Sequence, residues 1–417
     1  MASPRDPVSS TDSRPHPNVL AHGLVALADV TATRYFNYVP ADQRDPVLTA
    51  HGDRLRAECF SACNAVNARL DLLSDGLDGE IAFGTTNADI NAPTRRALAA
   101  ISRDELLHLD VGAHGMRVAT VAHQSTERPV RMPQRWVRAL GNAAESHHAP
   151  QPVFSLGTSA TRAFLASLPA ATTRGRYDGW LTPTHTSARL ERRPTKGSAR
   201  VAGLHRLAAA RRMMTHARGL TVYAVEPDTP AEPGASLFEF DLPGARLSLE
   251  LTNVTWRAFS GEGSLLPALA GKHVAADAEL LRDDLRFEPA LDPGALALRH
   301  DLPTDRVEAS LRMLAASGCI GWDPHDNVWF HRELPHDSDR VVRDNPRLKA
   351  ARELADGGYV DSAVDGITRA RSGTATYRVR LSAERADRCS CPWFLRYDGG
   401  RGPCKHVLAA RLALEKD

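Results

Sequence analysis

Leu55, Cys59, Cys63, Val66 and Leu70 recur at steps of three and four residues. That spacing puts apolar side chains on one helical face, so a helix is predicted over residues 54–73. Ser74, Asp75, Gly76, Asp78 and Gly79 then mark a turn within 72–79. Gly84-Thr85-Thr86-Asn87 reads as a tight polar loop, followed by a short helix over 94–101. Residues 116–123 alternate as a strand does, and another helix opens at 135–140. The stretch Phe154 to Ser159 leads into an amphipathic segment over 160–168. Residues 189–200, with Pro194 and Gly197, read as a loop, and 204–217 as a helix. Strands are predicted over 220–226, 236–241, 245–253 and 255–259, and a glycine-bounded helix over 261–271.

Residues 280–334 carry a sharper pattern. Asp292 is placed to cap a helix that opens on Pro293 and ends near His300. Thr304 is expected to cap a second helix holding Val307, Leu311 and Leu314, which Gly318 stops. Ile320 to Trp322 and Val328 to Phe330 flank a turn rich in Asp, Pro and Asn. Helix, turn, helix and hairpin are the layout of a winged helix-turn-helix. This segment holds six Arg against ten Asp and Glu, which suits a protein contact better than phosphates. Beyond it, 344–357 reads as a helix, and 359–364 and 376–382 as strands.

The last stretch concentrates the chemistry. Cys389, Cys391, Cys404 and His406 fall within eighteen positions, and three thiols with one imidazole make a complete tetrahedral set for zinc. Cys389 and Cys391 are two apart, so in a strand both sulfurs face one side. Pro392 breaks that strand, and the turn-rich run Asp398 to Pro403 brings the chain back. Cys404 is expected just before a helix and His406 in its first turn. Four protein ligands leave no open position for a catalytic water, so the metal is expected to be structural. The remaining cysteines, Cys59, Cys63 and Cys319, cannot all pair, so no disulfide framework is expected and a reducing cytoplasm fits.

This C-x-C…C-x-H arrangement resembles the SWIM zinc finger, a small strand–strand–helix unit, and all four ligand positions match. A wider resemblance, to bacterial SWIM zinc finger proteins of about this length, is carried by Leu70-Asp71-Leu72-Leu73, Leu77-Asp78-Gly79-Glu80, Gly84-Thr85-Thr86-Asn87, residues 133–138, residues 260–266 and Arg332-Glu333-Leu334-Pro335. That resemblance implies zinc binding and an association with MoxR-type AAA+ ATPases and von Willebrand A proteins.

Composition changes the picture only locally. The chain has 417 residues and a formal net charge of +2, so any polyanion contact must come from patches. One patch is the run Arg174 to Arg218, in which Asp178 and Glu191 are the only acids. The other is 371–417, with ten basic against five acidic residues. Arg378 and Arg380 lie there, and the candidate nucleic-acid contacts are Arg388, Arg396, Arg401, Lys405 and Arg411, interleaved with Trp393 and Tyr397. These contacts fit DNA and RNA alike, with DNA as the candidate partner.

The reading is therefore an α+β chain of several domains. They are a disordered leader over 1–18, an α/β region over 19–149 and a basic middle with strands over 150–274. A winged-helix-like segment follows over 275–337, then the finger domain over 338–417. No apolar run approaches the roughly 18 residues of a membrane helix. No H-E-x-x-H, G-x-S-x-G, Walker or dinucleotide fingerprint occurs, and His114, His123, His185 and the His147-His148 pair lack an evident acidic partner. A non-enzymatic, zinc-binding protein is expected, acting on nucleic acid or, as an adaptor, on protein.

Overall fold

The computed structural model describes residues 9–12, 16–35, 46–112, 115–129, 134–148, 150–172, 177–225, 235–253, 266–271, 273–334, 341–343, 345–364, 366–382, 387–398 and 402–414. The chain forms two compact units, one spanning 1–139 with 146–259 and the other 140–145 with 260–417.

The first unit is mostly strand. In chain order it holds β1 (Ser9–Asp12), helix α1 (Pro17–Ala32), β2 (Val47–His51), β3 (Arg54–Phe60), β4 (Val66–Leu73), β5 (Asp78–Ile81) and β6 (Phe83–Asn87). Helix α2 (Ala92–Ala99) precedes β7 (His108–Gly112), β8 (Gly115–Ala119) and β9 (Gln124–Glu127). Then come α3 (Gln134–His148), of which 140–145 count with the second unit, β10 (Gln151–Gly157), α4 (Thr158–Ser167), β11 (Gly179–Pro183), β12 (Ala188–Glu191) and β13 (Ala199–Val201). A 3-10 helix (Leu204–Met213) leads to β14 (Gly219–Ala224), β15 (Ser236–Leu242) and β16 (Ala245–Leu251). The largest sheet runs β10-β14-β15-β16-β4-β3-β2-β6, and a second runs β5-β1-β7-β8-β9.

The helix expected over 54–73 is instead the hairpin of β3 and β4, turned at Asn64, whose φ is +53°. The three- and four-residue steps coexist with a two-residue alternation. Leu55, Ala57 and Cys59 face one side while Arg56 and Glu58 face the other, and both sides are buried. Register then sets opposite charges across the pair, Arg56 with Asp71 and Glu58 with Arg69. The Arg69 guanidinium donates to Asp71 at 3.0 Å. Gly84 to Asn87 is no loop either: it lies in β6, paired with β2, where its β-branched threonines suit a pleated strand. Residues 189–200, expected as a loop, begin and end in β12 and β13, which flank β11.

The boundary expected at 149–150 does not exist. Strand β16 pairs with β4 from Ala245–Leu72 to Leu251–Val66, so strands from both expected regions share one sheet. Helix α1 lies on that sheet through Leu20, Leu24 and Leu27. At Gly23 a Cβ would stand 2.7 Å from Leu70, so glycine sets the close approach. The expected leader is structured where it is described. Ser9–Asp12 pairs with both β5 and β7, and Pro17 opens α1. The strand expected over 255–259, the first part of the helix expected over 261–271, Arg174, Arg176, His114 and most of the 260–266 motif lie outside the described residues. His147 and His148 are the last two residues of helix α3.

The second unit continues with α5 (Leu266–Leu269), α6 (Val274–Arg282), α7 (Pro293–His300), α8 (Thr304–Ala316), β17 (Ile320–Asp323), β18 (Val328–His331) and α9 (Pro346–Asp356). It ends with β19 (Thr368–Ser372), β20 (Ala375–Arg380), β21 (Arg388–Cys389), α10 (Pro392–Tyr397) and α11 (Lys405–Leu414). Asp292 caps α7 as expected, accepting from Gly294 N–H at 2.8 Å. Thr304 is the first residue of α8 and not its cap, a place that Pro303 takes. Gly318, at φ +85°, ends the segment after α8, and β17 pairs with β18 as a hairpin. Residues 359–364 form only isolated bridges, Val360 to Ala370 and Val364 to Ile367. The domains expected over 275–337 and 338–417 share one core, in which Val307, Leu311, Leu314 and Trp329 pack with Leu348, Leu408 and Leu412.

A buried histidine ties that hairpin to the turn before α7. Phe287 holds a φ of +65°, unusual for an aromatic residue, and its N–H donates to His331 Nδ1 at 2.8 Å. Burial, then Arg332 and Arg286, hold the His331 imidazole down at about 4. A base whose folded pKa lies below its unfolded value of 6.5 gives stability that is complete above pH 6.5 and lost as pH falls toward 4. Protonated Nδ1 also cannot accept from Phe287. Acid unfolding of the wild type is therefore expected to steepen across that window, and a His331→Gln variant should lose the steepening. Urea midpoints at pH 7.5 and 4.5 check it; equal pH dependence in both proteins would refute it.

Candidate metal centre and the arginine face of its sheet

The finger is assembled from short elements that each present one donor. Strand β21 ends on Cys389. Cys391 is the cap of α10, and its sulfur accepts from Phe394 N–H at 3.3 Å, with Pro392 at the first helical position. Cys391 N–H in turn donates to the Cys389 sulfur at 3.4 Å. Cys404 precedes α11 and His406 is the second residue of that helix, as its spacing predicts. Pro392 therefore starts a helix rather than only ending a strand.

The four donor atoms lie within 4.8 Å of one another, and all four residues are buried. His406 Nδ1 stands 3.9 Å from both the Cys389 and the Cys404 sulfurs. Donors held at zinc's ordinary bond lengths in a tetrahedron stand ~3.6 Å apart, so the cluster fits the ion closely. The hydrogen bond from Cys389 holds the Cys404 thiol down at about 4, and the same bond, followed by burial, pushes Cys389 far up. Burial raises Cys391. Backbone N–H groups aimed at sulfur favour the thiolate forms that a cation takes. His406 Nε2 has no hydrogen-bond partner among the described residues, and the ring packs on Tyr377 at 4.5 Å. Zinc bound here would cross-link β21, α10 and α11, and four protein donors would complete its coordination.

The small sheet β19-β20-β21 has two unlike faces. Thr368, Ala370, Val379 and Cys389 are buried, and Ala370, Val379 and Cys389 share a core with Phe394, Val407 and Ala410. The other face is a field of arginines. Arg369 stands directly opposite Arg378, and Arg380 directly opposite Arg388. Arg371 is two residues on from Arg369, and all five are exposed. Arg371 pairs with Asp361 at 3.7 Å and Arg388 with Asp398 at 2.6 Å. Arg369, Arg378 and Arg380 have no side-chain partner among the described residues.

The other expected contacts fall differently. Arg396 is exposed on α10, its guanidinium 5.5 Å from the Tyr397 ring. Trp393 packs against Tyr397 and is covered by Arg347 at 4.9 Å. Both aromatics are half-buried and already hold a guanidinium on one side, so they are less available as stacking platforms than their spacing suggests. Arg411 is tied to Asp387 at 2.8 Å, Lys405 is half-buried, and Arg401 lies outside the described residues. Arg369 was missed, and Arg371 was counted only as the edge of the 371–417 patch, because β19 has no apolar signal. Their alternation with Thr368 and Ala370 was the available clue.

No helix among the described residues is long and apolar enough to cross a membrane. No curated protein matches the chain. Among solved structures, it is similar to the proliferating cellular nuclear antigen of Entamoeba histolytica, at TM-score 0.39 and 11% identity over 58% of this chain and 98% of that one. It is similar to the A. fulgidus PCNA bound to the C-terminal region of FEN-1, at TM-score 0.40 and 11% identity over 58% and 97%. The PCNA2–PCNA3 complex from Sulfolobus tokodaii matches at TM-score 0.39 and 8% identity over 58% and 98%. Residues 377–415 match the SWIM zinc finger family, and the Cys389, Cys391, Cys404 and His406 cluster lies in the same place, so this part of the chain is a SWIM zinc finger with a zinc-binding ligand set.

Proposed function

We propose that the finger is a non-catalytic, zinc-ordered clamp on a nucleic-acid backbone, with DNA as its partner in the cytoplasm. The observation that carries the reading is the arginine face, above all the two directly opposed pairs. Like charges directly across a sheet cost it about 0.2–1 kcal/mol each, and a phosphate strand would offset that cost. Backbone contact rather than base stacking follows from the covered faces of Trp393 and Tyr397. Such binding is governed by counterion release and is steeply salt-dependent.

The test is binding of the zinc-loaded, full-length protein to single- and double-stranded DNA across a salt series. Arg378→Ala with Arg380→Ala should weaken binding to every sequence alike and flatten the log–log salt slope by about 1 per arginine removed. Slopes indistinguishable from wild type would sink the reading.

A second reading rests on a different observation. Leu298 is 88% exposed on α7, within the acidic helix–turn–helix–hairpin segment. We take that segment as winged-helix-like; its ten acids against six arginines suit a protein contact better than phosphates, and Leu298 offers that contact an apolar side chain. The partners implied by the wider resemblance, a MoxR-type AAA+ ATPase or a von Willebrand A protein, would dock there and make the chain an adaptor. Leu298→Ser should then abolish that association and leave DNA binding unchanged; retained association would remove this reading.

A further inference from the structure

The arginine face extends past β19 onto residues 359–361. Val360 bridges to Ala370, Arg371 N–H donates to Tyr359 O at 2.8 Å, and Asp361 N–H donates to Arg369 O at 2.9 Å. Val360 packs against the finger's core, so by the two-residue alternation Tyr359 and Asp361 lie on the arginine side. Tyr359 stands beside Arg371, and Asp361 beside Arg369. Acids sit at the two margins of this face. Asp361 holds Arg371, whose guanidinium also donates to Gly358 O at 3.1 Å, and Asp398 holds Arg388. Between them Arg369, Arg378 and Arg380 form a short oblique line of cations with no side-chain partner among the described residues. Arg378 and Arg380 are two residues apart on β20, so their Cα atoms lie ~6.8 Å apart, close to the spacing of neighbouring phosphates on an extended nucleic-acid strand. The other exposed side chains around Arg378 are the hydroxyls of Thr376 and Ser390, and Ser390 Oγ accepts from Arg378 N–H at 2.9 Å.

We propose that this face, on the reading that its arginines hold a nucleic-acid backbone, takes single-stranded DNA, with Arg369, Arg378 and Arg380 on neighbouring phosphates and Tyr359 as the platform for one unpaired base. The shape of the face selects the form of the ligand. The grooves of a duplex admit a helix or a two-stranded ribbon. Here the cations project from the broad side of a three-stranded sheet, which can touch a duplex only along one ridge of phosphates. A single strand can lie across such a face, its phosphates on the cations and its bases turned aside onto aromatic rings. Tyr359 supplies the ring. It is 49% exposed and rests on Gly357, where a Cβ would stand 2.5 Å from the ring. The Arg371 guanidinium is 6.0 Å from its centroid, at the outer limit of a cation–π contact, and is committed to Asp361 and Gly358. Trp393 and Tyr397, by contrast, are half-buried, with guanidinium groups at 4.9 and 5.5 Å. A base that stacks on Tyr359 must have left its partner strand, whereas the arginines alone would accept either form of DNA.

The test titrates the zinc-loaded, full-length protein into fluorescein-labelled oligothymidine and into a hairpin duplex with the same number of nucleotides, read by anisotropy across a salt series. The single strand should bind about tenfold tighter than the duplex, and Tyr359→Ala should remove about tenfold from single-strand binding while leaving the duplex unchanged. The salt slope of Tyr359→Ala should match wild type, because the ring neutralises no phosphate, and Tyr359→Trp should restore the affinity. On an oligonucleotide of abasic residues Tyr359→Ala should bind as wild type does, which a merely structural role for the ring would not produce. Asp361→Asn releases Arg371 and should steepen the single-strand salt slope by about 0.7. Equal affinity for the two DNA forms, or single-strand binding indifferent to Tyr359→Ala while Arg378→Ala/Arg380→Ala still flattens the slope, would overturn the single-strand site and leave the backbone reading standing. Slopes unaffected by Arg378→Ala/Arg380→Ala would overturn both.

Discussion

Chelation of the protein, or replacement of Cys404 by Ser, is expected to unfold the finger and leave the eight-stranded sheet standing. The finger's own core holds Ala370, Val379, Phe394, Val407 and Ala410, and its remaining buried members are Cys389, Cys391 and Cys404 themselves. So few apolar side chains cannot offset the entropy of ordering β19 to α10 against α11, which the larger core also holds through Leu408, Ala409 and Leu412. Structural zinc supplies an apparent binding free energy of about 10 kcal/mol or more in such sites, and that energy is folding energy. The readouts are protease resistance of 377–398 and the near-ultraviolet signal of Tyr377 and Trp393, which sit on His406 and Tyr397. Both should vanish with chelator and return with zinc. His406→Cys keeps a four-donor set and should retain metal, whereas His406→Ala should not. A finger that stays protease-resistant in chelator would show that its apolar core suffices alone.

Arg206→Ala is expected to cost the first unit about 4 kcal/mol or more, since each buried acceptor left unmet costs ~1–3 kcal/mol. Arg206 is fully buried in the 3-10 helix. Its Nη1 donates to Ala65 O and to Thr252 Oγ1, each at 2.8 Å. Its Nη2 donates to Thr252 O at 2.7 Å and to Ala202 O. One guanidinium thus joins the turn before β4, the end of β16 and the loop after β13. Tyr35 adds a bond from its hydroxyl to Arg206 O at 3.1 Å. Burial lowers the guanidinium to about 10, so it remains charged near neutrality, while burial raises the Tyr35 phenol. Arg206→Lys restores the charge without the planar fork and should recover only part of the loss. The check is the urea midpoint at constant slope. A midpoint within error of wild type in Arg206→Ala would mean that water satisfies those carbonyls.

What could be read in advance depended on distance along the chain. The metal ligands lie within eighteen positions, and their spacing alone placed Cys404 before a helix and His406 within it. Asp292, Gly318 and the turn after Trp322 are likewise local signals, and α7, α8 and the β17–β18 hairpin follow them. The large sheet is the opposite case. Leu72 meets Ala245, and no short-range pattern announces that pairing, so one unit was divided in two. Residues 54–73 failed for another reason. A strand buried on both faces has no polar side, and Leu55, Cys59 and Leu70 then satisfy helical steps as well as strand steps. Thr252, whose hydroxyl and carbonyl both receive Arg206, lies 46 residues from it, and nothing in the run of arginines around position 206 sets that one apart.

Helix α11 belongs to two cores at once. Val407 and Ala410 close the finger, while Leu408, Ala409 and Leu412 fill the core that runs back through Leu348 to Val307. The finger is therefore not a cassette. Cutting the chain before β19 would strip three buried side chains from the neighbouring helices and leave Leu348 facing water, and a transplanted finger would carry an uncovered apolar stripe into its host. Dissecting this protein calls for point substitutions at the ligands or on the arginine face, because a deletion would confound loss of the finger with damage to α8 and α9.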